Sequence, residues 1–520
     1  MAQQEKDTRI VLKGEKARAK LLEGAKAVYD GVSTTYGPKG RNVLIEKPFG
    51  RPLMTRDGVT VAKDIYFKDR AKNMGAQYVN EAAEITNKIS GDGTSATVGL
   101  TYLLLEGGQK SIAAGMHPME VKDMLVKDSF TLLKALKKLS KPAKISQLKE
   151  VATVSSGSSI YGDLIGGAIE RAGNEGGILT ERAFVEDVTR EYIDGYYLQN
   201  GFQALQSGKK ELIDPFVIVS AKRLTSGVDA FELMTKTAKS KGVQPGEIPK
   251  FLFVGNFEDA CYQSIVENIN RGTIDAVIIK TPPQFGAMGT QLLEDIAIYA
   301  KCRIIGESDN VRNFTDGNIG TVDKVVATQN YSTLFADNKT ENIEVRVQEI
   351  KDRLKDETSD AIAEKLRERI SSFENKVALF KIGGSTDSEK EEKEFRIEDA
   401  IQATRAAFRE GIVAGGGVTW IELSKLDISP TYKTALQALF SKLLTNANLP
   451  EQVYLQKVLD APKGFGINLR DTGELVDMFK VGVLDPTLVC EQVIKNATSN
   501  AALLLTTDKV IIFEDMKVEK

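Results

Sequence analysis

Four short turns of this sequence combine glycine with side chains that could bind phosphate and a metal ion. Their sequences are TTYGPKG (34–40), TRDG (55–58), GDGTS (91–95) and VAGGG (413–417). Glycine lets backbone amide groups approach an anion closely. In the third turn, Gly93, Thr94 and Ser95 precede an apolar run, so their N–H groups would lie at a helix N-terminus, which favours phosphate. Asp92 is a hard oxygen donor, the type of ligand that Mg²⁺ prefers.

Each of these turns also has an ordinary structural interpretation. GDGT is more often a turn whose threonine caps a helix, TRDG is typical of a hairpin, and AGGG is typical of a flexible loop. The sequence contains neither GxxxxGK[ST] nor a strand followed by GxGxxG, so no single loop predicts nucleotide binding. A nucleotide site would require several separated turns to converge.

The composition excludes several other kinds of site and partner. The formal net charge of the 520 residues is −3, so no overall positive field would recruit nucleic acid or an anionic membrane. The single histidine, His117, rules out a two-histidine zinc site, and we interpret it as a residue at a helix start or on the surface. A histidine-dependent triad or dyad would have to use the same residue. Catalysis must therefore rest mainly on carboxylates, lysines, backbone amides or a bound metal.

The cysteines and the apolar runs predict a cytoplasmic protein with no membrane span. Cys261, Cys302 and Cys490 are odd in number and far apart, which argues against a disulfide framework and favours packed thiols in a reducing compartment. No apolar run reaches the roughly 18 residues that a membrane span requires. The N-terminal segment carries acidic residues and no apolar core, so we expect no signal peptide.

The elements that must position the first three turns follow from hydrophobic periodicity. Helical spacing over residues 15–35 predicts a first helix, and glycine and proline in YGPKG end it. RNVLIEK predicts a strand, and PLMTRDGVTVAK predicts a hairpin with Asp57-Gly58 at its turn. Three more helices are predicted over 74–89, 94–112 and 118–139.

The middle of the chain has a different pattern, and the C-terminal hundred residues return to helix. From about 191 to 376, the apolar segments FVIVSAK, KFLFVGN, DAVIIKT and CRIIGES predict buried strands that alternate with amphipathic helices. This alternation is typical of an α/β domain. A single charged amphipathic helix is predicted over 352–373, and the charge run 385–395 predicts a solvated turn and helix start.

Two helices of this middle region carry unusual apolar surfaces. The first, around 228–241, has Phe231, Met234 and Ala238 on one side. The second, around 257–270, has two stripes, formed by Phe257, Cys261 and Ile265 and by Tyr262, Val266 and Ile269. Because one stripe is enough to cover one face of a sheet, the second predicts either deep burial or an exposed apolar surface.

In combination and in this order, several segments resemble one protein family. The segments TTYGPKGRNVLI, TRDGVTVAKDI, NMGAQYVNEAA, GDGTSATV, AAGMHPM, IEDAIQATRAAFREGIVAGGGV and VGVLDPT are similar to those of the group I chaperonins, the GroEL type. The resemblance covers about residues 8–512 and is strongest at both ends.

The resemblance implies a fold that is mainly α with α/β, in three interrupted domains. An equatorial ATP-binding domain would combine 1–137 with 410–520, and an intermediate hinge domain would combine 138–192 with 377–409. An apical domain for client and co-chaperonin would occupy 193–376.

The resemblance also implies an ATP site. Its nucleotide-binding residues would be Thr35, Tyr36, Gly37, Pro38, Arg56, Asp92, Gly93, Thr94, Ser95, Ala96, Gly416, Asn468 and Asp485. Asp92 would bind Mg²⁺, and K⁺ is a further cation that the family allows. Asp399, on the intermediate domain, would orient or deprotonate the attacking water, and Asp57 would be a second acid near the γ-phosphate. Two departures stand out: Ala96 replaces a usual hydroxyl, and an extra residue alters the base-binding turn at 468–471.

For the apical domain, the resemblance implies a client-binding groove that contains Phe231, Met234, Tyr262 and Val266. Such a groove binds unfolded chains by non-directional apolar burial, and copies around a ring add avidity. Glu267 departs from the pattern because an apolar residue is usual there.

The function that this predicts is an ATP-driven protein-folding chaperone. Its partners would be unfolded polypeptides, identical subunits in a heptameric ring that is single or double, and a co-chaperonin lid. Two alternatives remain at this point: a chaperonin-derived binding or structural ring protein with weak or lost ATPase cycling, and a metabolic ATPase. The acids at 57, 92 and 399 argue against the first, and the lack of an evident small-substrate site argues against the second.

Overall fold

The structure is a computed structural model, and it describes the chain in two compact units. The described residues exclude 1–8, 48–51, 173–177, 184, 194, 199–208, 281–286, 329–330, 337–339, 358, 375–376, 470–472 and 514–520. Unit 1 comprises 1–170, 180–189 and 381–520, and unit 2 comprises 171–179 and 190–380. The further division of unit 1 into equatorial and intermediate domains stays a prediction.

The helices and strands of the described residues are numbered in chain order. The helices are α1 (Gly14–Val32), α2 (Gly58–Lys63), α3 (Arg70–Ser90), α4 (Thr94–Ala113), α5 (Pro118–Leu139), α6 (Ile145–Ser156), α7 (Ser159–Ala172), α8 (Gly227–Ser240), α9 (Asp259–Asn270), α10 (Ala287–Tyr299), α11 (Glu341–Asp356), α12 (Asp360–Glu374), α13 (Asp387–Glu410), α14 (Val418–Ser424), α15 (Pro430–Asn446), α16 (Glu451–Leu459) and α17 (Thr487–Leu505). The strands are β1 (Arg9–Lys13), β2 (Val43–Ile45), β3 (Leu53–Thr55), β4 (Ile178–Arg182), β5 (Thr189–Ile193), β6 (Tyr196–Leu198), β7 (Lys209–Ile213), β8 (Phe216–Leu224), β9 (Lys250–Phe257), β10 (Asp275–Ile279), β11 (Gly320–Thr321), β12 (Lys324–Thr328), β13 (Ser332–Phe335), β14 (Val377–Ile382), β15 (Ile412–Ala414), β16 (Phe465–Ile467), β17 (Leu475–Asp477), β18 (Leu484–Pro486) and β19 (Lys509–Phe513).

Unit 1 is built around α4, which is buried on several faces. It packs against α3, α15 and α17, as its high apolar content requires. Small antiparallel strand pairs, β1–β19, β2–β3, β15–β18 and β16–β17, lie among the helices. None of the helices in the described part of the chain is long and apolar enough to cross a membrane.

Local sequence signals explain how the helices of unit 1 begin and end. His117 caps α5, where its Nδ1 accepts a hydrogen bond from the Met119 N–H at 3.2 Å. This capping role confirms the interpretation of the single histidine as a residue at a helix start. Gly91 ends α3 at its C-terminus in a left-handed conformation, with φ 67°.

The TRDG segment differs from its prediction. β3 pairs with β2 as a strand, but Asp57-Gly58 is not a hairpin turn. Asp57 instead caps α2, because its carboxylate accepts hydrogen bonds from the N–H groups of Val59 and Thr60. The predicted hairpin is therefore wrong: an acidic residue that could begin a β-turn here begins a helix.

Unit 2 contains the α/β pattern that the middle of the sequence predicts. One sheet has the order β10-β9-β8-β11, in which β8, β9 and β10 are parallel, and a second, antiparallel sheet has the order β6-β13-β12-β7. Its core includes Phe251, Phe253 and Phe257. With the helical unit 1, this confirms the fold class, mainly α with α/β.

Two predicted elements of unit 2 are wrong. CRIIGES does not form a strand, since only Ile305 bridges to Ser220. The charged helix over 352–373 is two helices, because Glu357 has an extended backbone that ends α11 before α12 begins. Hydrophobic periodicity continues across such a break and does not reveal it.

Candidate functional site

A cavity of about 450 Å³ in unit 1 brings the four turns together. It is lined by every residue predicted for nucleotide binding and catalysis: Thr35, Tyr36, Gly37, Pro38, Arg56, Asp57, Asp92, Gly93, Thr94, Ser95, Ala96, Asp399, Gly416, Asn468 and Asp485. These residues come from segments that lie up to 450 positions apart in the sequence, between Thr35 and Asp485. The volume lies within the range of small-molecule sites.

The first wall of the cavity is the turn that follows α1. Gly37 has φ 83°, a conformation that favours glycine. The carbonyl of Gly37 accepts a hydrogen bond from the Arg56 guanidinium at 3.0 Å. The Asn446 amide donates to the carbonyls of Ser33 and Tyr36 at 2.9 and 2.8 Å, so the turn is held from two sides.

Asp57 forms a second part of the wall, and its carboxylate is fixed in place. One oxygen accepts from the Val59 N–H at 3.2 Å, and the other accepts from the N–H and hydroxyl of Thr60 at 2.8 and 2.5 Å. Gly58 follows at a close contact, where an added Cβ would lie 2.5 Å from Ser95 Oγ. The cap therefore positions the carboxylate beside the start of α4.

The start of α4 forms the third part. Gly91 and Gly93 are both left-handed, with φ 67° and 89°, and an added Cβ at either would collide with a neighbouring side chain. Between them, Asp92 accepts hydrogen bonds from the Gly93 N–H at 2.5 Å and from the Ser155 hydroxyl at 3.0 Å. Gly93, the N-cap residue of α4, has no side chain that could bond the first-turn amides, so these N–H groups suit an anion.

The remaining walls come from the C-terminal half of the chain. Gly416 is left-handed with φ 64°, and Asp485 on β18 pairs with Val413 on β15. Asp399 lies on α13, which packs against α6. Asn468 follows β16, but the altered part of the base-binding turn at 470–472 lies outside the described residues.

Crowded carboxylates give the cavity its electrostatic character. Burial, followed by the negative charges of Asp57 and Asp92, raises the pKa of Asp399 well above its usual value. Burial and the charge of Asp92 raise the pKa of Asp485 to about 7. Burial also raises the pKa of Asp92, against the opposing effect of its hydrogen bonds from Gly93 and Ser155. Such crowding favours a site that binds a cation.

Comparison with known proteins identifies the family. The sequence model of the TCP-1/cpn60 chaperonin family matches residues 28–219 and 284–514, most of the chain. The chain belongs to this chaperonin family. Its role is therefore that of a chaperone, and the predicted resemblance to chaperonins is confirmed.

A solved chaperonin has the same fold. The chaperonin gp146 from bacteriophage EL 2 (Pseudomonas aeruginosa), crystallised in the presence of ATP-BeFx, superimposes with a TM-score of 0.68 in crystal form I. The TM-score is 0.58 for crystal form II. In both forms the comparison covers 97% of this chain and 99% of gp146, at 21% sequence identity. At this identity the likeness shows the fold.

The chaperonin cavity also contains residues that sequence reasoning missed. From α6 and the turn after it come Val154, Ser155, Ser156 and Gly157, and from α13 come Glu392, Phe395 and Arg396. Arg396 had a usable signal, because it precedes Asp399 by three residues and so lies on the same helix face. Ser155 had none, since it reaches Asp92 through tertiary packing, in which α6 contacts α13 and β18.

The residues predicted for client binding differ in exposure. Phe231 on α8 is 64% exposed, whereas Met234, one turn further, is only 7% exposed and belongs to the core of unit 2. Tyr262 and Val266 on α9 are half-buried and pack against that core. α8 and α9 contact each other, and Phe231 is the most exposed of these four residues.

Proposed function

We propose that this chaperonin is an ATPase that uses ATP binding and hydrolysis to fold proteins. The observation that carries the proposal is the convergence of four glycine turns and Asp399 on one cavity of about 450 Å³. Backbone amides at the start of α4 and the turn at 34–38 would hold phosphates, while Gly416, Asn468 and Asp485 would hold the nucleoside.

The donor set supports Mg²⁺ as the metal. Within the described residues, no group of three or more His, Cys, Asp or Glu side chains could hold a metal ion by itself. Mg²⁺ suits such a site because it is usually held by one or two carboxylates together with substrate phosphates and water. Asp92 would hold it, since this carboxylate lies among other acids whose repulsion a cation would offset. Bound there, the ion would neutralise charge on the phosphates. K⁺ stays a prediction from the family resemblance.

Asp399 would act on the attacking water. Phosphoryl transfer needs an in-line water and charge stabilisation more than covalent help. The raised pKa of Asp399 makes its carboxylate a better proton acceptor than an ordinary aspartate. The Asp57 carboxylate, which accepts hydrogen bonds from Val59 and Thr60, would be a second acid near the attacking water.

Client binding and assembly extend the proposal. Phe231, with Tyr262 and Val266, would bind unfolded polypeptides, and Met234 would support this surface from the core. Chaperonins assemble as rings, and we propose a homo-oligomeric ring of seven subunits with a co-chaperonin lid, in the cytoplasm. The ring and its lid would enclose a chamber for the client. Movement of the domain that carries Asp399 would couple hydrolysis to closure of this chamber.

The test is hydrolysis and chaperone activity in one variant series. We expect Asp399→Ala to lower steady-state ATP hydrolysis at least a hundredfold while ATP still binds, in line with the usual effect of removing a general base. Glu410→Gln, at the C-terminal end of the same helix, is the matched control. Aggregation assays and particle images of the same samples measure client protection and ring size.

Three outcomes would contradict the proposal. Equal hydrolysis by wild type and Asp399→Ala would refute the assigned mechanism. A wild-type ring that protects clients without hydrolysing ATP would favour a binding or structural ring protein. Particles without rings would refute the chamber.

A further inference from the structure

Arg396 is a cation of the cavity that the assignments above leave without a role. It lies on α13, three residues before Asp399, and both residues line the cavity. Residues three apart on a helix share a face, so a group that Asp399 can reach lies near the Arg396 guanidinium as well. In this structure the guanidinium forms an ion pair with Glu392, which lines the same cavity.

A second arginine faces Arg396 from another element. Arg56, which follows β3, also lines the cavity, and α13 contacts β3. Burial and then the positive charge of Arg396 lower the pKa of Arg56, against the opposing effect of the negative charge of Glu392, so both members of the Arg396–Glu392 ion pair lie near the Arg56 guanidinium. Two cations held towards one cavity are stabilised when an anion lies between them.

The ion pair with Glu392 alone is a weak reason for this arrangement. The Arg396 and Glu392 side chains are 33% and 28% exposed, and a partly exposed pair of this kind, four residues apart on a helix, contributes little to stability. A guanidinium makes much stronger contacts with phosphate, whose oxygens match its planar array of donors. The phosphate oxygens that carry developing charge during hydrolysis are those next to the attacking water.

We propose that Arg396 binds the terminal phosphate of the nucleotide, exchanging Glu392 for phosphate oxygens, and thereby makes the site discriminate triphosphate from diphosphate. This inference rests on the proposed ATPase function. Arg56 lines the same cavity and remains joined to the carbonyl of Gly37. Glu392 is the competitor: it holds the guanidinium when the terminal phosphate is absent.

The test uses two substitutions in the same ion pair, because a phosphate role and a structural role predict different signs. The assembled protein is titrated calorimetrically with the β,γ-imido analogue of ATP and, separately, with ADP, both with Mg²⁺. We expect Arg396→Gln to weaken analogue binding about tenfold, the effect of losing one charge-assisted contact, and ADP binding less than twofold. Glu392→Gln should tighten analogue binding about twofold to threefold, since it removes the competitor. Arg396→Lys should recover part of the loss.

Arg409→Gln is the matched control, because Arg409 lies on the same helix and pairs with Glu410 outside the cavity. If Arg396→Gln and Glu392→Gln weaken binding alike, or if Arg396→Gln weakens both nucleotides equally, Arg396 acts on the structure and the inference is wrong. An Arg396→Gln variant that binds the analogue as the control does also refutes it. If wild type binds neither nucleotide, the ATPase proposal itself is wrong, so the two failures are distinguishable.

Discussion

Asp485→Asn should stabilise the nucleotide-free protein at alkaline pH. Burial and the charge of Asp92 raise the pKa of Asp485 from 3.8 to about 7. Between these values the folded state binds the proton and the unfolded state does not, so stability falls as pH rises through this interval and is flat above it. A shift of about 3 units corresponds to roughly 4 kcal/mol, of which roughly 3 kcal/mol lies between pH 5 and pH 8.

Asparagine is neutral at every pH, so the Asp485→Asn variant does not lose this stability as pH rises. We therefore expect Asp485→Asn to exceed wild type by about 4 kcal/mol at pH 8 and to lie close to it near pH 4. Thermal and urea unfolding without nucleotide, at pH 4, 5, 6, 7 and 8, measure the difference. Asp460→Asn, an exposed carboxylate outside the cavity, is the control.

Two results would refute the reasoning. If the stability of wild type and of Asp485→Asn changed with pH in parallel, the pKa of Asp485 would not be raised by its surroundings. The second concerns the ligand: Mg²⁺ with ATP should stabilise wild type more at pH 8 than at pH 5, because the cation offsets the repulsion that alkaline pH exposes. A ligand effect that does not grow with pH would contradict the idea that the crowded carboxylates form a cation site.

The remaining predictions concern Asp57 and the surface of unit 2. Asp57→Ala should destabilise the protein by about 1 kcal/mol through loss of the α2 cap, whereas Asp57→Asn should keep the cap; thermal unfolding and ATPase assays, with low hydrolysis expected in both, separate the two roles. Stability equal in the two variants would contradict the capping role. Phe231→Ser should weaken binding of an unfolded client, measured by light scattering, without lowering stability, because this side chain is 64% exposed. Met234→Ser should lower the melting temperature by removing a core side chain, and the reverse pattern would refute both assignments.

Glycine turns are a part of the cavity wall that the sequence made visible. Gly37, Gly93 and Gly416 have left-handed backbones at their positions in the cavity wall, and such positions are visible in a sequence as glycine in characteristic turns. The long helices were equally visible, since α3, α4 and α5 carry apolar residues at helical spacing over many turns. Their predicted bounds differ from the observed ones by a few residues at most.

Where the prediction failed, local sequence was compatible with two structures. Asp57-Gly58 suits both a β-turn and a helix cap. In the structure it forms the helix cap, and the helix that it begins, α2, packs against α3 and α4. CRIIGES is apolar enough for a strand, but only Ile305 meets the edge of β8. In these segments, neighbours that are distant in sequence select one of two locally acceptable conformations.

Residue types and their order were sufficient for the family and the fold class, and they predicted a set of side chains that the structure places around one cavity. Tertiary packing was required for the properties that depend on distance. The pKa of Asp399 is raised because folding buries it and brings it near Asp57 and Asp92. Ser155 reaches Asp92 because α6 packs against α13 and β18. Likewise, one face of α8 holds Phe231 exposed and buries Met234, which periodicity alone had placed together. Electrostatic energy and burial are functions of separation in space, and a linear sequence does not contain that separation.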